Sequence, residues 1–331
     1  MYARVEGERG ICELCPRRCR IAEGGRGACR TRGLVGGKVV ALGYGAVTSA
    51  SIDPIEKKPL YHFHPGCGIL SIGTFGCNLT CKFCQNWEIS QREADHDNIS
   101  PEDIARTALA NRGRSVGVAY TYSEPLVWYE FVLDCAKLIR QAGLVNVLVT
   151  NGQINPEPLA ELLPYVDAMN IDLKAFRDEF YRKVCGGRLE PVLDTIKAAF
   201  GRCHIELTTL IIPGMNDSPE EIDELAAWIC SLSPDIPLHL SRYFPNYVMD
   251  IPPTPVSTLV KCREVASRHL RFVYVGNAEI PGGNDTVCPS CGETLIERRG
   301  FLSVRVYLDG TACPKCGASI PVRRNTDLCA E

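Results

Sequence analysis

Short apolar runs alternate along the centre of the chain with longer segments whose apolar positions recur every three to four residues. The runs "GILSIGTFG" (68–76), "SVGVAYTY" (115–122), "VNVLVTNG" (145–152), "DAMNIDLKA" (167–175), "CHIELTTLIIPG" (203–214), "PLHLSRYFP" (237–245) and "RFVYVGN" (271–277) predict about seven buried strands. Between them the pattern predicts helices at 101–112, 125–143, 156–165, 176–184, 190–201, 218–232 and 256–270. Ser100 before Pro101 and Ser218 before Pro219 have the chemistry of helix starts, and Gly143 that of a helix stop. Strand–helix alternation implies parallel βαβ units. Seven of them predict an α/β fold with a partial (β/α) barrel in preference to a plain open sheet. Polar clusters fall at successive strand ends: "TYSE", "TNG", "DLK", "PGMND" and "SRYFP". In parallel barrels those ends carry the chemistry.

The outer segments break the rhythm. Residues 1–35 are Gly- and Arg-rich, 36–67 read as a connecting segment packed on the barrel, 68–280 as the barrel, and 281–331 as a zinc-ribbon-like module. Neither terminal segment has enough apolar residues for its own core, so each needs a metal or docking on the barrel.

Composition adds one strong signal. There are 18 cysteines in 331 residues, no run of about 20 apolar residues, and no apolar leader core in "MYARVEGERGICELC". A cytoplasmic location is the expectation, and clustered cysteines then read as metal ligands rather than disulfides. The net charge of −3 argues against nucleic-acid or membrane partners, although the first 38 residues carry nine Lys/Arg against four Glu. Cys67, Cys135, Cys185, Cys203, Cys230, Cys262 and Cys329 stand singly, and most read as small core hydrophobes.

Three cysteine groups remain. Cys288, Cys291, Cys313 and Cys316 form two "CPxCG" knuckles with zinc-ribbon spacing, which predicts structural zinc, with a rubredoxin-like iron as the rival. Cys12, Cys15, Cys19 and Cys29 fit zinc, an auxiliary iron–sulfur cluster or partly free thiols. Cys77, Cys81 and Cys84, in "FGCNLTCKFCQNW" directly after the first strand, number only three. A 4Fe–4S cluster on three thiolates keeps one iron open, and an open position marks a catalytic metal. A zinc site would need a fourth ligand such as His96 or Cys67.

With its C-x3-C-x2-C at the end of the first strand, and Phe83 before the third cysteine, the sequence resembles the radical S-adenosylmethionine superfamily. The resemblance implies a cluster whose open iron is chelated by S-adenosylmethionine, and a one-electron donor of the flavodoxin or ferredoxin type. It implies that Tyr122, Ser123 and Glu124 hold the methionine amino group. Thr150 and Asn151 of "TNG", with Asp172 and Lys174 of "DLK", match segments of the pyruvate formate-lyase activating enzymes. There the Asp and Lys organise the methionine carboxylate and a nearby cation; the Asp preceding "TNG" in those enzymes is Val149 here. His239 is expected near the adenosine. Together with "CELCPRRC", "DPIEKKPLYHFHPG" (53–66), "HLSRYFP" and "VGNAEIPGGNDTVCPSCGETLIERRG", the chain resembles the radical enzyme of the AmmeMemoRadiSam group. The substrate is open: a small molecule or modification target, or a glycine of a partner protein. A non-catalytic electron-transfer or zinc-mediated interaction protein would leave Glu124, Asp172 and Lys174 without a purpose. In "DPIEKKPLYHFHPG", His62 and His64 are expected in a strand or loop against the barrel entrance, structural or substrate-contacting.

Overall fold

The computed structural model describes residues 2–301, 303–324 and 328. Its centre is one eight-stranded sheet. We label the strands β1 (Ser49–Pro54), β2 (Gly68–Gly73), β3 (Gly117–Tyr120), β4 (Val145–Thr150), β5 (Ala168–Asp172), β6 (His204–Ile211), β7 (Leu238–Arg242) and β8 (Val273–Gly276). Their spatial order is their chain order, with β1 and β8 at the two edges. Strands β2 to β8 are parallel, and β1 runs antiparallel to β2. The sheet is therefore a partial barrel, open between β1 and β8.

The seven parallel strands are those that the apolar runs predict. They are shorter than the runs because residues at the run ends leave the ladder; after β3, β4, β5 and β8 these include cavity-lining residues such as Tyr122, Asn151, Lys174 and Asn277. Strand β1 was not predicted. Its sequence, "SASIDP", is polar and mostly half-exposed, as a sheet edge permits, so it carries no apolar run.

Helices cover the sheet. The Ser100 hydroxyl accepts from Asp103 N (3.1 Å) to start Pro101–Ala110, and that of Ser218 accepts from Glu221 N (3.2 Å) to start Pro219–Leu232. The predicted helix 125–143 divides into a 3-10 turn, Pro125–Trp128, and an α-helix, Tyr129–Gln141. The division follows from Glu124, whose carboxylate accepts from Leu126 N (3.0 Å) and tightens the first turn. The stretch 176–184 is one short turn, Asp178–Phe180, continued by a π-turn, Tyr181–Cys185.

The N-terminal segment forms a three-stranded antiparallel sheet (Ala3–Glu6, Arg9–Cys12, Arg20–Ala22) beside a two-stranded one (Arg32–Val35, Lys38–Ala41). It is fastened to the barrel mouth. Gly76, at φ +87°, lies so close that a Cβ would stand 2.2 Å from the Cys29 carbonyl oxygen, which only glycine permits. At the other end, strands Thr286–Val287, Thr294–Arg299 and Ser303–Val306 share a small apolar core with Tyr61 of the connecting segment and Phe272 and Tyr274 of the barrel. No helix among the described residues is long and apolar enough to cross a membrane.

Candidate active site at the barrel mouth

The loop after β2 carries Cys77, Cys81 and Cys84 to a cavity of about 580 Å³, within the usual range of small-molecule sites. Its lining includes eleven of the twelve residues expected at the cluster and at S-adenosylmethionine: the three cysteines, Phe83, Tyr122, Ser123, Glu124, Thr150, Asn151, Asp172 and Lys174. These come from the ends of four consecutive strands, β2 to β5.

Local structure holds the loop open. Thr80 N donates to Cys185 O (2.8 Å) and Lys82 N to Val184 O (3.0 Å), so the π-turn after β5 supports it from outside. Leu79 N donates to Cys77 Sγ (3.3 Å), and Ser90 Oγ lies 3.2 Å from Cys84 Sγ. Burial pushes the Cys77 and Cys84 thiols above their ordinary range. Cys81 is pushed up by its contact with the Cys185 thiol, and then by burial. Buried thiols of this kind become thiolates only with a compensating positive charge, as a metal centre supplies.

Glu124 organises the second side. Its Oε1 accepts from Thr150 Oγ1 (2.7 Å) and Leu126 N, and its Oε2 from Asn151 N (2.8 Å). One carboxylate thus ties the end of β3 to the end of β4. It is both the cap of the following turn and a cavity wall. Burial raises its pKa to about 7, against the three bonds that favour the carboxylate. Asn151 Nδ2 bonds Asn78 Oδ1 (2.9 Å) and reaches Cys77 Sγ (3.5 Å), linking this side to the cysteine loop. Ser123 Oγ donates to Thr74 O (2.7 Å), and Tyr122 sits at φ +69°.

On β5, Lys174 Nζ pairs with Asp172 at 2.7 Å and lies 5.9 Å from the Phe83 ring. Burial opposes the ammonium, but Asp172, Cys81 and Cys185 outweigh it and hold its pKa well above the usual value. The lysine is charged at every relevant pH and faces the thiols.

His239 is the exception. It is buried, donates through Nε2 to Glu206 (2.7 Å), stacks on Tyr274, and does not line the cavity. Side chains alternate along β7, and the same strand reaches the cavity two residues later, at Ser241. His239 lies one layer deeper, a core histidine.

Sequence reasoning missed Asp53, Lys57 and Lys58, which also line the cavity. Lys58 Nζ pairs with Asp53 (2.8 Å), and Tyr122 OH donates to the same carboxylate (2.6 Å). Burial opposes the Asp53 charge, but Lys58 and Tyr122 more than offset it and hold its pKa well below the carboxylate range. The signal was present as "DPIEKKP", whose two lysines beside an Asp had no partner strand to be read against.

The histidines of that segment face inward. His62 is buried, with Nε2 2.6 Å from Tyr274 OH, and burial pushes its pKa down to about 3; that of His64 falls to about 4 for the same first reason. Cys67 is buried and disulfide-bonded, and His96 Nδ1 lies 2.9 Å from Ala94 O; neither lines the cavity. Cys329 lies outside the described residues.

At the C-terminal end, Cys288, Cys291, Cys313 and Cys316 place all four sulfurs within 4.8 Å of one another, with two Sγ–Sγ separations of 3.6 Å. Four thiolates so close fit a single tetrahedral ion. Cys12, Cys15, Cys19 and Cys29 line one small cavity together with Arg32 and Asn78.

The model of the radical SAM superfamily matches residues 71–229, the stretch containing the cysteine loop and the ends of β3 to β5. The matched stretch is a radical SAM domain, and members of that superfamily are enzymes using a 4Fe–4S cluster and S-adenosylmethionine. The uncharacterized protein MJ0808 of Methanocaldococcus jannaschii is 44% identical over 316 residues, covering 93% of each chain. The pyruvate formate-lyase-activating enzyme of Clostridium pasteurianum is 28% identical over 170 residues, covering 49% of this chain and 69% of that one. The crystal structure of Streptococcus suis SuiB bound to S-adenosylmethionine is 17% identical, covers 64% of this chain and 52% of that one, and aligns with a TM-score of 0.50, a likeness of fold alone.

Proposed function

We propose that the barrel mouth performs radical S-adenosylmethionine chemistry with hydrogen abstraction from a substrate held in the same cavity. The carrying observation is the convergence of three cysteines, Glu124 and the Asp172–Lys174 pair on one cavity. When bound, a 4Fe–4S cluster with one open iron supplies the electron that cleaves S-adenosylmethionine to methionine and a 5′-deoxyadenosyl radical.

The residues divide that work. Cys77, Cys81 and Cys84 would hold the cluster, and soft thiolates suit iron. Phe83 and Leu79 cover the loop with apolar surface and exclude water. The Glu124 carboxylate, with Tyr122 and Ser123, receives the methionine ammonium. Lys174, kept charged by Asp172, receives the methionine carboxylate. Asp53, Lys57, Lys58, Thr208, Ser241 and Asn277 form the remaining polar wall, which faces the substrate.

Two substrate classes fit: a small or modification substrate, and a glycine of a partner protein. The second is favoured by the similarity to the Clostridium pasteurianum activating enzyme. We assign zinc to Cys288, Cys291, Cys313 and Cys316, and an electron donor of the flavodoxin or ferredoxin type. The kinship to the AmmeMemoRadiSam radical enzyme is part of the same proposal, resting on the motifs outside the barrel mouth.

The test is reductive cleavage. Anaerobically reconstituted protein with dithionite is expected to form 5′-deoxyadenosine from S-adenosylmethionine, and Cys77→Ala, Cys81→Ala and Cys84→Ala to form none. Unchanged cleavage in any of the three variants would remove the basis of the assignment.

A further inference from the structure

We propose that Cys12, Cys15, Cys19 and Cys29 hold a second 4Fe–4S cluster, packed directly behind the catalytic cysteine loop. All four line one enclosed cavity. Their spacing separates two kinds of occupant. Around one tetrahedral ion, four thiolates crowd together, as the C-terminal four do. Among the described residues the C-terminal four are the one group of three or more His, Cys, Asp or Glu side chains close enough to share a single ion. The N-terminal four share a cavity without that crowding, and so do Cys77, Cys81 and Cys84. Thiolates around a cube of four irons, one iron each, stand farther apart than thiolates around one ion.

The lining asks for a negatively charged occupant. Arg32 is 1% exposed and borders the cavity. Its Nη1 and Nη2 hold Glu130 (2.9 and 2.5 Å), while its buried Nε has no partner. A buried guanidinium donor left unpaired is costly, and an anionic thiolate-ligated cluster would satisfy it. Two further donors already address the sulfurs: Thr31 Oγ1 to Cys29 Sγ (3.3 Å) and Ala28 N to Cys19 Sγ (3.5 Å). Hydrogen bonds to ligand sulfurs are a means of setting a cluster's potential.

The position gives the cluster a use. Asn78 lines this cavity, follows Cys77 directly, and bonds Asn151, which reaches Cys77 Sγ. Arg17 donates to the Asn78 carbonyl, clamping the two cysteine segments together. The N-terminal site is thus one residue away from the first ligand of the catalytic site. A one-electron carrier there would take an electron from a reductant of the ferredoxin or flavodoxin class and pass it inward. This role, unlike the site itself, rests on the proposed radical chemistry.

The full-length triple variant Cys77→Ala/Cys81→Ala/Cys84→Ala, reconstituted anaerobically, tests the site without the catalytic cluster. It is expected to keep about four irons and four sulfides per chain, and to give the electron paramagnetic resonance signal of a reduced cluster with dithionite. The Cys12→Ser/Cys29→Ser variant is expected to lose the same iron while the catalytic cysteines keep theirs. Zinc instead of iron in the triple variant, or neither metal beyond one C-terminal ion, would overturn the proposal. For the relay, reduced wild-type protein should show a spectrum broadened by coupling between the two clusters. A spectrum equal to the sum of the two variants' spectra would overturn the relay and leave the radical chemistry to be judged by cleavage alone.

Discussion

Glu124 shows how much one side chain can carry. Buried among three donors, it has a pKa of about 7 because desolvation exceeds what those donors return. A carboxyl raised in the folded state costs stability once the pH passes its unfolded value, and the cost is complete above about 7. Ligand binding has the opposite sign, because an ammonium wants the carboxylate. Affinity for S-adenosylmethionine should therefore fall as pH drops below about 7, by up to tenfold per unit. In Glu124→Gln that pH dependence should vanish and affinity drop at every pH. Isothermal titration across pH 5.5–8.5 would show this, and an equally steep profile in the variant would assign the titration elsewhere. His239 makes the contrast. In His239→Asn, affinity should stay within about twofold while stability falls, as expected for a core position. Glu124 could be singled out from its place after a strand run. His239 could not be placed, since depth along β7 depends on its register with β6, where His239 stands opposite Thr208. No local pattern encodes that pairing.

Among elements, the strand ends were the most readable and the strap 55–67 the least. Parallel strands buried on both faces leave long apolar runs, so β2 to β8 and their polar ends could be found. The strap is held instead by distant groups. Buried Glu206 on β6 accepts from Tyr61 N (2.9 Å), His62 N (2.7 Å), His204 and His239. Desolvation opposes its charge, but the two histidines hold the pKa far below the carboxylate range. Arg298 completes the clamp, donating to Tyr61 O (2.6 Å) and lying 4.2 Å over the Tyr61 ring. Glu206→Ala would strand two buried backbone donors and both histidines. It should cost about 3–5 kcal/mol, read as a lower urea midpoint, with the dithionite-reduced catalytic cluster's spectrum unchanged if the barrel mouth is intact. A midpoint equal to wild type would show that the strap is held by its apolar contacts alone.

In the whole molecule, the two cysteine-rich ends pack against different residues of one barrel and its strap. The N-terminal segment meets the cysteine loop at Gly76 and the loop after β4 at Asn155, which donates to Glu13 O (2.6 Å). The C-terminal module shares its core with Tyr61, Phe272 and Tyr274. Its four cysteines were legible because ribbon spacing is local, and Cys288→Ser should release about one zinc per chain. Metal analysis showing no loss, or iron there instead, would contradict that. The catalytic reading depends on an iron left open for the co-substrate. The most direct measurement is the electron paramagnetic resonance spectrum of the dithionite-reduced Cys12→Ser/Cys29→Ser variant, which retains the catalytic cysteines, before and after S-adenosylmethionine is added. The account predicts a clear change in g-values on addition, and none in a variant that also carries Glu124→Ala and Lys174→Met. A cluster spectrum indifferent to S-adenosylmethionine with Glu124 and Lys174 intact would contradict it.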